Sequence, residues 1–260
     1  MPFRLVLKNL FKHPLRTVLT LGSLIVALFL LCVLRSLVVT LEAGVKAARS
    51  DRIIVQSAVS LFVQLPESYE AKIVGVEGVR AACRWNWFGG YYREPANFFA
   101  QFACEPEELF DLYPEIKIVE GSAEEFVSKR LSCIIGTDLV RDFGFRVGDT
   151  VPIISALYPL ASGGAWEFRV AGIYESSSSA VDQRTLFFHW EYLSESIDQG
   201  VTLGPDGVGI FVVGIEKEAD PVAVMAAIDE LFENGPQRVQ ATSESEFQAQ
   251  FVSMIGNVPF

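Results

Sequence analysis

Phe3, Val6, Leu7, Leu10 and Phe11 recur at helical spacing, with Arg4, Lys8 and Lys12 along the adjoining edge. This pattern predicts a short amphipathic helix over residues 1–13 lying in a membrane interface, its basic groups near anionic headgroups. Residues 17–34 then carry no charge, and at about 1.5 Å per residue they span roughly 27 Å, close to the hydrocarbon thickness of a bilayer. Pro14 suits the first turn of this membrane helix, and His13 before it makes an elbow. Beyond Arg35 the apolar stripe continues through Leu37, Val38, Leu41 and Val45, so segment 14–50 is expected to form a membrane helix that runs on as a rigid stalk. A secretory signal has a shorter apolar stretch, roughly 7–15 residues, ending in small residues. Here Cys32-Val33-Leu34-Arg35 closes the run, which predicts an uncleaved anchor.

The rest of the chain alternates short apolar runs with helical patterns. DRIIVQSAVS (51–60) predicts a strand, 66–79 a helix opened by its proline, and the stretch to Trp87 a second strand. An aromatic region follows, turning at Gly89-Gly90. Its Trp85, Trp87, Tyr91, Tyr92, Phe98, Phe99 and Phe102 either belong to the core or an inter-subdomain seam, or form a ligand-binding face. In CIIGTDLVRDFGFRVGDTVPI, residues 133–135 predict a strand, Thr137 caps a helix over 138–143, Gly144 ends it, and Val147-Gly148-Asp149 turns into the next strand. WEFRVAGIY, TLFFHW and GVGIFVVGI predict strands, EYLSESI and DPVAVMAAIDELFEN helices, and the serines at 176–179 a loop.

Composition changes this picture in one respect. The chain of 260 residues is 50% hydrophobic yet 20% charged, with mean hydropathy +0.32, which fits one membrane span plus a large aqueous domain. Five basic residues and no acidic ones precede Leu41, leaving 16 basic against 32 acidic residues after it, a formal charge of −16. The positive-inside rule therefore places the N-terminus in the cytoplasm and the acidic bulk outside. A body this acidic repels phosphate backbones, so nucleic acid is not an expected partner.

Candidate chemistry is sparse. His13 and His189 are the only histidines, and they fall on opposite sides of the expected membrane, which excludes a histidine-based metal site or a Ser-His-Asp triad. His189 is expected to be structural, at a strand end. No GxxxxGK[ST] or GxGxxG occurs. Glu107-Glu108 and Glu124-Glu125 lie on what read as solvated helix faces. Cys83, Cys104 and Cys133 follow Cys32 with no CxxC spacing, so buried free thiols are expected, with a Cys83–Cys104 bridge as the alternative. No residue is assigned a catalytic, cofactor-binding or metal-binding role, no cofactor is implied, and the chain is not expected to be an enzyme.

The order of these features resembles MacB/FtsX-type ABC transporter permeases. The resemblance is carried by IIGTDLVRDFGFRVGDTVPI, FRVAGIYESSSSAVDQRTLFFHWEYLSE and ATSESEFQAQFVSMIGN, within which Gly136 with the helix after it, Val147-Gly148-Asp149, and Ala171-Gly172-Ile173-Tyr174 ahead of a variable loop and Tyr192 are the characteristic pieces. It implies an α+β extracytoplasmic domain of mixed short strands and helices, in two subdomains, on one N-terminal transmembrane helix. It further implies a MacB-like periplasmic core domain over 51–243 and a return helix over 244–260 leading toward a second membrane span. In that family a permease lacking its own ATPase pairs with a cytoplasmic ABC ATPase subunit and a second permease chain in the bacterial inner membrane, ATP-driven closure is relayed to the outer domain, and an adaptor outside the membrane is a further partner. Three more membrane helices follow the outer domain in such proteins, whereas this sequence stops at Pro259-Phe260. The alternative is a single-pass, membrane-anchored binding or scaffolding protein without transport activity.

Overall fold

The computed structural model describes residues 14–47, 51–178 and 181–256. The interfacial helix expected over 1–13, His13, the last residues of the stalk at 48–50, Ser179 and residues 257–260 lie outside the described residues. The chain divides into two units, Met1–Arg49 and Ser50–Phe260.

The first unit contributes helix α1 (Pro14–Ala47), 34 residues long and so about 50 Å from end to end at ~1.5 Å per residue. Its stretch Val18–Ser36 has mean hydropathy 2.5 and is long and apolar enough to cross a membrane. Leu24, Phe29 and Leu34 there are more than half exposed, an arrangement that lipid, not water, accommodates. The helix continues unbroken from this stretch to Ala47.

In the large unit, β1 (Arg52–Ser57) and β10 (Ile210–Ile215) are buried at every position. That explains why their sequences are continuous apolar runs with no alternation: both faces of the sheet are covered. They pair antiparallel, Ile53 opposite Val213, between β11 (Val239–Ser243) and β2 (Val79–Trp87). From β2 the sheet continues through β4 (Ala100–Cys104), β9 (Thr185–His189), β6 (Ser132–Gly136), β8 (Trp166–Ser176), β7 (Thr150–Ser155) and β3 (Gly90–Tyr92), while β5 (Ile116–Gly121) pairs with β8. The last strand of this path is the extension of β2 across Phe88-Gly89, so one half of the eleven-stranded sheet closes on itself as a small barrel and the other half stays open. Both halves belong to one sheet and one compact unit.

Two features make the bend that closes the barrel. Gly89 has φ +60°, a conformation that favours glycine. The buried side chain of Gln101 fills the gap, accepting from the Gly90 amide at 2.8 Å and donating to the Gly90 carbonyl at 3.0 Å. Inside the barrel, Phe88 packs edge-on against Trp166 at 5.4 Å and Phe188 at 5.0 Å, and all three are buried.

Short helices cover the faces. On the open half, α2 (Tyr69–Val74) and α7 (Pro221–Leu231) seat Tyr69, Ile73, Val224 and Ile228 in one apolar cluster. On the opposite face, α3 (Pro106–Leu112), α4 (Ala123–Ser128) and α8 (Glu244–Gly256) supply Leu109, Leu112, Phe126 and Phe247 to a second. Helices α5 (Thr137–Phe143) and α6 (Trp190–Asp198) pack on the barrel half. Among the described residues both clusters draw only on this unit, so it has a hydrophobic core of its own, as a unit able to fold by itself requires.

Three local expectations change. The helix expected over 66–79 is only Tyr69–Val74, because Leu65 is taken into a bridge with Val208 and Val79 already belongs to β2. Thr137 does not cap α5: its hydroxyl donates to Gln183 Oε1 at 2.7 Å, and Gly136 occupies the cap. Gly136 is required there by space, since a Cβ would stand 2.0 Å from the Gln183 carbonyl oxygen. Trp190, read as a strand end, opens α6. Gly144 does end α5, with φ +72°.

Candidate functional site

Strand alternation sends Cys83, Trp85 and Trp87 of β2, Phe102 and Cys104 of β4, and Phe187 of β9 to the face that α8 covers. Trp85 meets Phe102 at 5.2 Å and Phe187 at 5.3 Å, and Trp87 meets Phe102 at 5.2 Å. Two phenylalanines one helical turn apart on α8 complete the set: Phe247 stacks on Phe251 at 5.8 Å, and Phe251 lies edge-on to Trp87 at 4.8 Å. Between helix and sheet remains a groove of about 680 Å³ bounded by these rings, by Phe98 and Ala100, and on its far side by Val181, Asp182 and Arg184. A smaller recess of about 70 Å³ opens on the other flank of α8, toward Leu61 and Phe62.

The aromatic residues singled out in the sequence therefore part company. Trp85, Trp87, Phe98, Phe99 and Phe102 line the groove, with Phe99 almost fully buried. Tyr92 turns away to pack on Phe143 and Phe145 at 5.5 and 5.0 Å, and Tyr91 forms a bridge with Phe98.

One end of the groove is closed by a buried charge cluster that sequence reading missed. Arg52, the first residue of β1, donates through Nε to Glu244 Oε2 at 2.9 Å, through Nη2 to Glu115 Oε1 at 2.7 Å and through Nη1 to the Leu112 carbonyl at 2.9 Å. Its guanidinium lies 4.1 Å from the centre of the Tyr113 ring. Burial opposes its charge, but Glu244, Tyr113 and Glu115 outweigh that and raise its pKa. The cluster ties the start of β1, the loop after α3 and the start of α8 together. From there α8 runs along β1, with Gln250 meeting Gln56 and Phe251 reaching Trp87. The helix thus runs from the Arg52 end of β1 toward its Gln56 end.

Beneath the adjoining face lies a second polar hub. Asn86 is 1% exposed. Its amide nitrogen donates to Gln64 Oε1, the Tyr158 hydroxyl and the Gly207 carbonyl at 3.0–3.1 Å, and its Oδ1 accepts from Trp190 Nε1 and the Gly209 amide, both at 3.0 Å. Next to it in β2, Arg84 pairs with Glu105, Glu70 and Glu67 and stacks 4.2 Å over Trp190. Burial, more than the neighbouring carboxylates, raises the pKa of Glu70.

The remaining candidates are structural. Cys83, Cys104 and Cys133 are buried free thiols, and burial pushes each thiol up, away from the reactive thiolate. The Cys83–Cys104 bridge is not formed. Among the described residues no group of three His, Cys, Asp or Glu side chains is placed to hold a metal ion. His189 ends β9, is buried, and turns Nε2 to the Phe126 carbonyl. Burial lowers its pKa below 6.5, although the Phe126 carbonyl and Glu191 pull the other way.

This depression has a sign that can be tested. Below about pH 6.5 the unfolded chain binds a proton that the folded chain refuses, so the contribution of His189 is complete above that pH and is lost as pH falls toward the folded-state pKa. Urea melts of the large unit should therefore lose stability through this window, and His189→Gln, which cannot titrate there, should flatten the difference. An identical pH profile in the variant would show that His189 titrates as it does in the unfolded chain.

The described residues thus comprise one apolar helix of membrane-crossing length and a mixed α+β unit. The family model described as MacB-like periplasmic core domain matches residues 17–231, and the chain belongs to that family, one of ABC transporter permease components and not of enzymes. Among solved structures, the periplasmic region of MacB from Actinobacillus actinomycetemcomitans is similar at 10% identity and TM-score 0.53, over 83% of this chain and 97% of that one. The extracellular domain of the noncanonic ABC-type transporter YknZ from Gram-positive bacteria is similar at 12% identity and TM-score 0.51, over 74% of this chain and 98% of that one. At such identities the likeness is one of fold. None of the curated proteins matches.

Proposed function

We propose that this chain is a permease subunit of an ABC transporter, driven by a separate cytoplasmic ATPase subunit and working with a second permease chain. Its large unit lies outside the cytoplasmic membrane, where it senses or gates substrate or engages an adaptor. Family membership supports the kind of machine. The basic segment before the apolar stretch and the acidic unit after it support the orientation. The observation that carries the mechanical part is α1, unbroken to Ala47 well beyond Ser36. A continuous helix relays tilt or rotation where a loop would absorb it.

Proline at Leu41 removes a backbone donor and collides with the preceding turn, at a cost of about 3 kcal/mol or more to helix continuity. In the transporter assembly, Leu41→Pro should leave ATP hydrolysis intact while transport falls. Transport at the unsubstituted rate would remove the relay from the account.

A further inference from the structure

We propose that the groove beneath α8 is a binding site for a single-chain amphiphile drawn from the bilayer, with α8 as one of its walls. Its volume of about 680 Å³ falls within the roughly 300–1,000 Å³ of small-ligand sites, and the space remains with α8 in place. The floor is Trp85, Phe102 and Phe187, and the wall is Phe247 and Phe251. The charged groups at the rim are already engaged: Glu244 with Arg52 at 2.9 Å, Arg184 with Asp142 at 3.3 Å, and Asp182 with the Arg184 amide at 2.8 Å.

These facts select the occupant. An extended peptide brings an amide donor and acceptor with every residue, and in a groove floored by rings each unmet group would carry a desolvation penalty. A hydrocarbon chain makes no such demand and leaves its polar head at the charged rim. The same chain carries a membrane-length apolar helix, which keeps the unit beside a reservoir of such molecules. This inference rests on the proposed membrane-anchored permease only for the supply of ligand. The groove itself is a property of the large unit.

The test uses residues 50–260, which carry their own core, and octyl-, decyl-, dodecyl- and tetradecylphosphocholine below their micelle-forming concentrations. Binding is followed by calorimetry and by the fluorescence of Trp85 and Trp87. The expected result is one saturable site whose affinity rises about fourfold per added methylene until the groove is full and then levels off. Ala100→Trp, which fills the groove from β4, should abolish binding with circular dichroism and melting temperature preserved, and Phe251→Ala should weaken it at least tenfold. Binding without chain-length dependence, binding indifferent to both substitutions, or preference for a helical peptide bearing paired aromatic residues over every amphiphile would overturn the proposal. None of these results depends on an ATPase, so failure here is distinguishable from failure of the transporter reading.

Discussion

Arg52→Met is expected to destabilise the large unit by about 3–5 kcal/mol, the usual cost of removing one partner from a buried ion pair. The side chains of Arg52, Glu115 and Glu244 are 9%, 14% and 7% exposed, so methionine would leave two largely buried carboxylates without their guanidinium and the Leu112 carbonyl without its donor. The loss should appear in guanidinium unfolding of residues 50–260 as a lower midpoint with little change in slope. Adding Glu115→Gln and Glu244→Gln in the Arg52→Met background should recover part of it, because the penalty resides in the unpaired charges. A fall below about 1 kcal/mol, or no recovery in the triple variant, would mean the cluster is solvated and does not hold α8 to β1.

The second large effect belongs to Asn86. Asn86→Leu deletes five hydrogen bonds at once and strands the Trp190 indole N–H and the Gly209 amide, which both donate to Oδ1. At roughly 1–3 kcal/mol for each buried group left unsatisfied, a loss of about 3–5 kcal/mol is expected, a large share of the roughly 5–15 kcal/mol by which a folded unit is ordinarily stable. Asn86→Asp should also be costly, since a carboxylate cannot donate to the Gln64, Tyr158 and Gly207 oxygens. Chemical denaturation of both variants measures this. Near-neutral behaviour of Asn86→Leu would show that water, not Asn86, satisfies these groups.

Features written in local pattern were legible in the sequence. The uncharged run behind a basic leader marked α1, the unalternating IIV and IFVV runs marked β1 and β10 as strands, and Gly144 ended α5 where its spacing said it would. Features that depend on distant partners were not. Arg52 and Glu244 are 192 residues apart, and nothing near either one in the chain announces the other. Asn86 reads as an ordinary polar position between two tryptophans, although a lone amide flanked by large rings on a strand is itself a hint of a buried hub. The barrel closure at Phe88-Gly89 was visible only as a turn, because its consequence lies in the pairing of β3 with β7. The aromatic stretch could be marked as a core or binding face, yet dividing it between groove and barrel required the register of β2 on β4 and the direction of α8.

Helix α8 lies along β1 with its phenylalanines on the sheet. The central claim is that this chain is one part of an ATP-driven assembly, and the most direct measurement is purification of the full-length protein from its native membrane with identification of what accompanies it. The account predicts a cytoplasmic ABC ATPase together with a pair of permease chains in fixed proportion. Recovery of the chain without any ATPase, under conditions that keep membrane complexes intact, would contradict it.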